Sequence, residues 1–493
     1  MIADIVLVVV LPLLGGITVL VGGRTRTAAS AAIVGALGSF AAAVFLAARI
    51  GGLHHVEAWS GFLYVDAMGA YFTVVVSFIV VLASFGSAAY LAAEEARGEL
   101  SGFQVRLYFG FFSLFASGML AVFMTGNLGL LWVLVETSTL ASVVLVGVEG
   151  KARSLEAAWK YVIISSFGVT IALLATLFLF FAASGVHLTS VQRLTWYYLL
   201  AHGHGLTPAS MRLAFLLAVV GYGTKVGLAP MQTWLPDAHS EAPSPASAML
   251  SAALLNTGMY AIIRFRAIAI PALGANFPDT VLLFFGFLSV FVGVMFLVNA
   301  RNYKRMFAYS SVEHMGIIAI ALGFGGTLGL YGALLQILAH ALGKAVLFLS
   351  SGHLVLGYRT REVSKVRGAL SAMPFAAGVL LLASLGVAGS PPFGIFLSEL
   401  TIVRAGFTNV NWFLPALLLL LLVIGFISLL NGTIGMVSGE RPTAEVLQPY
   451  PGRSQRLLAS VPLVGGLGAL ALLGLWIPGG LHGLLMQSIR AVS

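Results

Sequence analysis

Stretch after stretch of about twenty apolar residues runs through this chain, divided by short charged or Gly/Pro-rich connectors. About 20 helical residues cross a bilayer core. Lipid offers no hydrogen bonds to an open backbone, so such segments must be helices that satisfy their own peptide groups. Fourteen segments qualify, at residues 3–22, 28–48, 67–93, 104–124, 127–147, 157–182, 209–229, 244–266, 279–299, 306–323, 328–355, 373–390, 411–438 and 458–477. The chain therefore reads as an all-α polytopic membrane protein with about 14 transmembrane helices. Composition agrees: of 493 residues, 59% are hydrophobic and only 9% charged, against roughly a quarter charged in a soluble domain. The absence of cysteine excludes a disulfide scaffold, a protein-held iron–sulfur cluster and Cys-ligated zinc. A net charge of +9 does not point to nucleic acid, because the 26 Lys and Arg are sparse and sit mostly in connectors. Asp4 and the lack of a basic leader mark the first segment as a retained helix, not a cleaved signal.

Lys and Arg concentrate on the inner side of a membrane protein. With the N-terminus outside, 16 of them lie inside: Arg24, Arg26, Arg97, Arg106, Lys151, Arg153, Arg301, Lys304, Arg305, Arg359, Arg361, Lys365, Arg367, Arg441, Arg453 and Arg456. Seven lie outside, namely Arg49, Arg193, Arg212, Arg264, Arg266, Arg404 and Arg490. Lys160, Lys225 and Lys344 fall within spans. This bias places both termini on the outer side of what is expected to be a prokaryotic cytoplasmic membrane.

The run Gly227-Leu-Ala-Pro230-Met-Gln-Thr-Trp234-Leu235 recurs as Gly389-Ser-Pro-Pro392-Phe-Gly-Ile-Phe396-Leu397. In both, Gly-x-x-Pro interrupts a span and an aromatic-Leu pair follows on a half-helix, which makes spans seven and twelve discontinuous. Segment six carries Lys160-x-Val162 and segment eleven Lys344-x-Val346. Spans 4–8 and 9–13 thus read as two five-helix copies. An odd helix count inverts the second copy, and inverted repeats with broken helices are a transporter pattern. The expected organisation is three N-terminal spans in 1–93, a first repeat in 94–266, a second in 267–438, and a loop with span fourteen in 439–493.

A charged side chain at the bilayer centre costs roughly 2.5–3.5 kcal/mol on insertion scales, so several retained together imply a use. Glu136 lies in the middle of segment five, Lys160 near the start of six, and Lys225 just before the first break. Glu313 and His314 lie in segment ten. His340 and Lys344, four apart on segment eleven, share a helix face. Glu399 lies on the half-helix after the second break. Burial brings carboxylates and lysines toward neutrality, and a nearby ionised partner reverses this. Such groups form a proton relay switched by charge separation. Each also has a plainer role: Glu136 as a polar contact between helices, Lys160 as a side chain snorkelling to the inner interface, and Glu313-His314 as a brace for the Lys304/Arg305 loop. No Ser-His-Asp arrangement supports organic chemistry. His239-Ser-Glu241 lacks the further ligands a metal needs, and Gly221-Tyr-Gly223-Thr-Lys225 fails the spacing of a phosphate loop. His54 and His55 read as loop residues. No metal or cofactor is expected.

The run from Lys225 through Pro230, Trp234, Asp237, His239 and Pro243 to Pro245 resembles the proton-pumping, antiporter-like membrane subunits of respiratory complex I, Mrp-type cation/proton antiporters and membrane-bound (group 4) nickel–iron hydrogenases and formate hydrogenlyases. The likeness continues through Lys304-Arg-Met-Phe-Ala-Tyr-Ser310, His340-Ala-Leu-Gly-Lys344 and Gly389-Ser-Pro-Pro392, over roughly residues 60–440. It implies fourteen helices with inverted five-helix repeats. It also implies that Glu136 and Lys225 form the helix-five/helix-seven pair, that Lys344 is the central lysine with His340 beside it, and that Glu399 is the helix-twelve terminal group. Asn256 stands where one branch has a second lysine, and Gln336 where others have histidine. Ser310-Ser-Val-Glu313-His314-Met-Gly is similar to the F component of hydrogenase-4, and the chain stops without the long lateral helix of the largest complex I subunit of this type. The resemblance implies other membrane subunits and a peripheral redox arm as partners, with protons, or sodium ions, as the transported species. A sodium/proton antiporter subunit and a non-pumping scaffold are the alternatives.

Overall fold

A computed structural model describes residues 2–22, 25–53, 55–440, 446, 448–450 and 452–492. Arg24, Arg441 and His54 lie outside the described residues. In chain order the helices are α1 (Ile2–Gly22), α2 (Thr25–Leu53), α3 (Ala67–Ala96), α4 (Gly102–Val122), α5 (Leu128–Gly147), α6 (Ala152–Ala182), α7 (Trp196–Ala201), α8 (Pro208–Val226), α9 (Trp234–Glu241) and α10 (Ser244–Met249). They continue as α11 (Leu255–Leu273), α12 (Asn276–Val298), α13 (Tyr303–Phe324), α14 (Gly326–Tyr358), α15 (Ala369–Ala372), α16 (Pro374–Val387), α17 (Gly394–Asn409), α18 (Phe413–Val437), α19 (Arg453–Leu475) and α20 (Gly479–Arg490). A short antiparallel hairpin, β1 (His55–Ala58) with β2 (Leu63–Asp66), precedes α3.

Twelve spans among the described residues are long and apolar enough to cross a membrane; α10 and α11 count as one, joined by a π-helical turn at Leu250–Leu254. Two shorter apolar helices, Ile2–Ile17 and Pro374–Val387, lie where the first and twelfth segments were expected. His55, read as loop, belongs to β1 and stacks on Tyr64. The hairpin and α20 had no counterpart in the sequence reading.

Polar residues fix the helix starts. Asp66 accepts from the Gly69 N–H at the head of α3, Ser101 and Gln104 form a capping box on α4, and Asn127 and Asn302 cap α5 and α13. Gly227 and Gly389 take left-handed backbone (φ 83° and 84°) at the two breaks, and each break holds a cis X-Pro bond, Ala229–Pro230 and Pro391–Pro392.

Helices α3, α11, α13 and α14 are almost wholly enclosed, whereas α2, α6, α18 and α19 turn much of their surface outward. The outward residues are apolar, among them Phe45, Phe167, Phe284, Val423 and Leu475, as a lipid-facing surface requires. Close backbone approach supplies much of the packing: a Cβ on Gly286 of α12 would stand 2.9 Å from the Gly316 carbonyl of α13. Of the candidate residues the enclosed helices carry Asn256, Glu313, His314, Gln336, His340 and Lys344; Glu136, Lys225 and Glu399 lie on α5, α8 and α17.

Candidate functional site

Lys225 sits in the last turn of α8, fully buried, just before the break. Its ammonium donates to the Thr139 hydroxyl of α5 (2.7 Å) and to the Tyr161 hydroxyl of α6 (2.9 Å). Tyr161 shares a further hydrogen bond with Ser142 (2.7 Å). Glu136 lies one turn before Thr139; one carboxylate oxygen accepts from Ser166 (2.7 Å) and the other is buried without a partner. Glu136 and Lys225, expected as a pair, are not in ion-pair contact. Lys225 satisfies its donors on hydroxyls, and the Glu136 charge acts on it across that hydroxyl layer.

The break turns the chain so that α9 carries Trp234 under Tyr161. Their rings stack at 4.5 Å, and the Trp234 N–H donates to the Thr224 carbonyl in the last turn of α8 (2.7 Å), which the Gly227 N–H also reaches (3.3 Å). His239, two residues from the Glu241 end of α9, lies between Trp234 (6.5 Å) and Phe348 of α14 (5.2 Å). It is fully buried and neither ring nitrogen has a partner. A buried polar group without a partner is costly, so this histidine stands out. In the sequence His239 stands only within a rejected metal pattern and the motif that carries the resemblance; its burial with no partner at either nitrogen is the signal that a sequence does not show.

In the second half, Lys344 is fully buried and donates to the Phe307 carbonyl (2.9 Å) and to the Ser310 hydroxyl, both on α13. His340, one turn earlier, has both ring nitrogens unpartnered, and its ring lies 5.3 Å from that of His314. His314 Nδ1 meets the Gln336 amide at 2.9 Å, and the Gln336 carbonyl accepts from Ser398 of α17. Ser398 adjoins Glu399. Glu313 faces away from Lys304 and Arg305; its carboxylate lies against Gly425 of α18, and its charge reaches Lys344 and Glu399.

Asn256 follows the π-helical turn, fully buried, with its amide N–H on the Ala252 carbonyl (2.9 Å) and its own carbonyl unpartnered. Beside it Ser251 and Ser311 link α11's approach to α13 at 2.8 Å. Such turns recur at functional sites because they leave backbone groups open. Lys160 stands apart. Its side chain is 49% exposed and pairs with Glu156 (2.6 Å) and Asp237 (3.4 Å), the geometry of a side chain reaching to an interface. The described residues contain no group of three or more His, Cys, Asp or Glu that could hold a metal ion.

Glu399 is positioned by Gly389. A Cβ there would coincide with the Glu399 carboxylate, and the backbone is left-handed. Gly389→Ala is expected to displace Glu399 and to strain the break by about 1–2 kcal/mol. Should Glu399 carry protons, as the resemblance implies, transport drops severalfold, while Gly468→Ala, where a Cβ meets nothing within 4 Å, leaves it unchanged. Equal rates for the two variants would show that Glu399's position is immaterial.

A bundle of this kind, broken at two Gly/Pro turns and threaded with buried lysines, histidines and carboxylates, is that of an ion-translocating membrane protein. Residues 125–426 match the family described as NADH:quinone oxidoreductase/Mrp antiporter, TM; the chain belongs to it and is an antiporter-like membrane subunit. It is 35% identical over 373 residues to the hydrogenase-4 component F homolog of Methylacidiphilum infernorum (isolate V4), covering 76% of this chain and 77% of that one. It is 29% identical over 429 residues to NADH-quinone oxidoreductase subunit N of Desulforudis audaxviator (strain MP104C), covering 84% and 82%. Its fold matches a chain of the Mrp complex from Dietzia sp. DQ12-45-1b with a TM-score of 0.83, at 21% identity over 100% of this chain and 97% of that one.

Proposed function

We propose that this chain is the proton-translocating subunit of a redox-driven membrane complex, either a membrane-bound hydrogenase or a complex I-like NADH-quinone oxidoreductase. The observation that carries this reading is the series of buried groups Lys225, His239, Lys344, His340 and Gln336, flanked by the half-buried Glu136 and Glu399. Protons enter the first half from the inner side near Lys225, cross by side chains and water to Lys344, and leave outward past Glu399. An enclosed ammonium held only by hydroxyls is poised by the nearest negative charge. A charge change delivered by a neighbouring subunit at Glu136 therefore sets whether Lys225 holds or passes its proton. The redox chemistry belongs to partner subunits, including a peripheral arm. Asn256 and Gln336 leave the middle with fewer titratable groups than branches with lysine or histidine there, and water bridges that gap.

The matched breaks 162 residues apart (Gly227 with Gly389, Pro230 with Pro392) support two inverted five-helix repeats, at 94–266 and 267–438. With α1 and α16 counted as spans the total is fourteen. Three N-terminal spans occupy 1–93 and the last span 439–493, with both termini on the outer side of a prokaryotic cytoplasmic membrane. The similarity to component F favours the hydrogenase setting; the match to an Mrp complex keeps a sodium/proton antiporter subunit as the second reading.

The deciding measurement is the proton-to-electron stoichiometry of the intact complex. Glu136→Gln and Lys225→Met should each lower it at least threefold while the complex still assembles and turns over. Unchanged stoichiometry in both variants would remove the transport role, and sodium-dependent transport without redox turnover would favour the antiporter.

A further inference from the structure

A cavity of about 500 Å³ opens where α3, α5 and α14 end and α6 begins, on the face read as inner, and none of the pathway residues lines it. Its wall is charged. Arg361 pairs with Glu241 (2.6 Å) and Glu149 (3.6 Å), Lys151 with Glu149 (3.1 Å), and Arg359 with Glu99 (2.5 Å). Glu94 also lines the cavity, and its carboxylate makes no hydrogen bond or ion pair among the described residues. A polar space of this size holds many water molecules.

Two residues past Asn302 of the cavity wall stands a buried lysine. Lys304, only 1% exposed, lies within electrostatic reach of Arg361, Glu149 and Glu241. Its ammonium donates to the Ala242 carbonyl (2.5 Å), the first residue past α9. One turn back on α9 is His239 with its two unpartnered nitrogens, and the charges of both Lys304 and Lys344 reach it.

We propose that this cavity is a water-filled inner-face inlet that delivers protons through Lys304 to His239 and on to Lys344, bypassing Lys225. The proposal rests on the transport reading above and changes its route. Lys225 becomes the charge switch of the first half, and the central stretch loads by itself at the junction of the two halves. An ion-pair brace alone would account for Arg361 with its two glutamates. It would not account for the unpaired Glu94 at the wall, nor for a buried lysine directed at the half-helix that holds an unpartnered histidine.

The chain contains no cysteine, so a single introduced thiol is unique within it. Val355→Cys places one on the cavity wall and Ala152→Cys another; the second serves if the first fails to assemble. The intact complex in inside-out vesicles is treated with a trimethylammonium-bearing methanethiosulfonate or with the small methyl analogue, the parent complex serving as background. The cationic adduct should cut proton uptake at least fivefold and the methyl adduct far less. Complete labelling with unchanged uptake overturns the inlet, and so does a thiol that cannot be labelled from the inner side. Lys344→Met separates the two readings. If it stops transport while the adducts do not, the inlet falls and the transport reading stands. If neither has any effect, the transport reading falls as well.

Discussion

Lys344→Met should reduce proton translocation by the intact complex at least tenfold, while the complex assembles and its redox turnover persists or slows. Methionine keeps the length and flexibility of the side chain and fills the same enclosed space, so packing changes little. What goes is the ammonium that donates to Phe307 and Ser310, one helical turn from His340. His239 and His340 have no hydrogen-bond partner at their ring nitrogens, and the Lys344 charge reaches both. Any route, from Lys225 or from the inner cavity, must pass this point to reach Glu399. Ser310→Ala gives the graded comparison. It removes one acceptor from Lys344 and should slow transport severalfold without stopping it. Proton uptake at full rate in Lys344→Met vesicles would show that the conduit runs elsewhere.

Much of this was legible in the chain. The apolar segments gave the helices to within a few residues, because lipid forces backbone self-satisfaction and leaves few alternatives. Gly227-x-x-Pro230 and Gly389-x-x-Pro392 announced the broken spans, since proline stops a helix and glycine accepts the left-handed turn. The charged residues in spans stood out by cost. The hydroxyl shell did not. Thr139, Tyr161, Ser310 and Ser398 are ordinary residues in membrane helices, and only the packing of α5, α6, α13 and α17 shows which of them meet a lysine or an amide. His239 was hidden for the same reason: a histidine in a motif says nothing about whether its nitrogens find partners. The hairpin before α3 and the terminal α20 escaped because they are short and lack an apolar run of membrane length.

Asp66→Ala is the substitution expected to harm stability most. Asp66 and Arg264 stand 198 residues apart in sequence, yet the two carboxylate oxygens accept from the two terminal nitrogens of the guanidinium, at 2.9 and 2.5 Å. Arg264 is fully buried, with the Trp196 ring 3.7 Å away and the Tyr260 ring 4.8 Å away. Asp66 also caps α3 through the Gly69 N–H (2.9 Å). Truncating the carboxylate strands an enclosed cation that cannot deprotonate and opens the first turn of α3. Breaking a buried pair from one side costs about 3–5 kcal/mol, and a lost cap about 1 kcal/mol more. The purified protein should melt at a clearly lower temperature and assemble in lower yield. The pair lies off the proposed proton line, so the surviving complexes should transport normally per molecule. Adding Arg264→Met removes the stranded charge and should recover most of the loss, leaving chiefly the missing cap. A double variant as unstable as the single would place the cost in the α3 cap and not in the ion pair. Normal stability of Asp66→Ala would mean that the guanidinium is held by its aromatic neighbours alone.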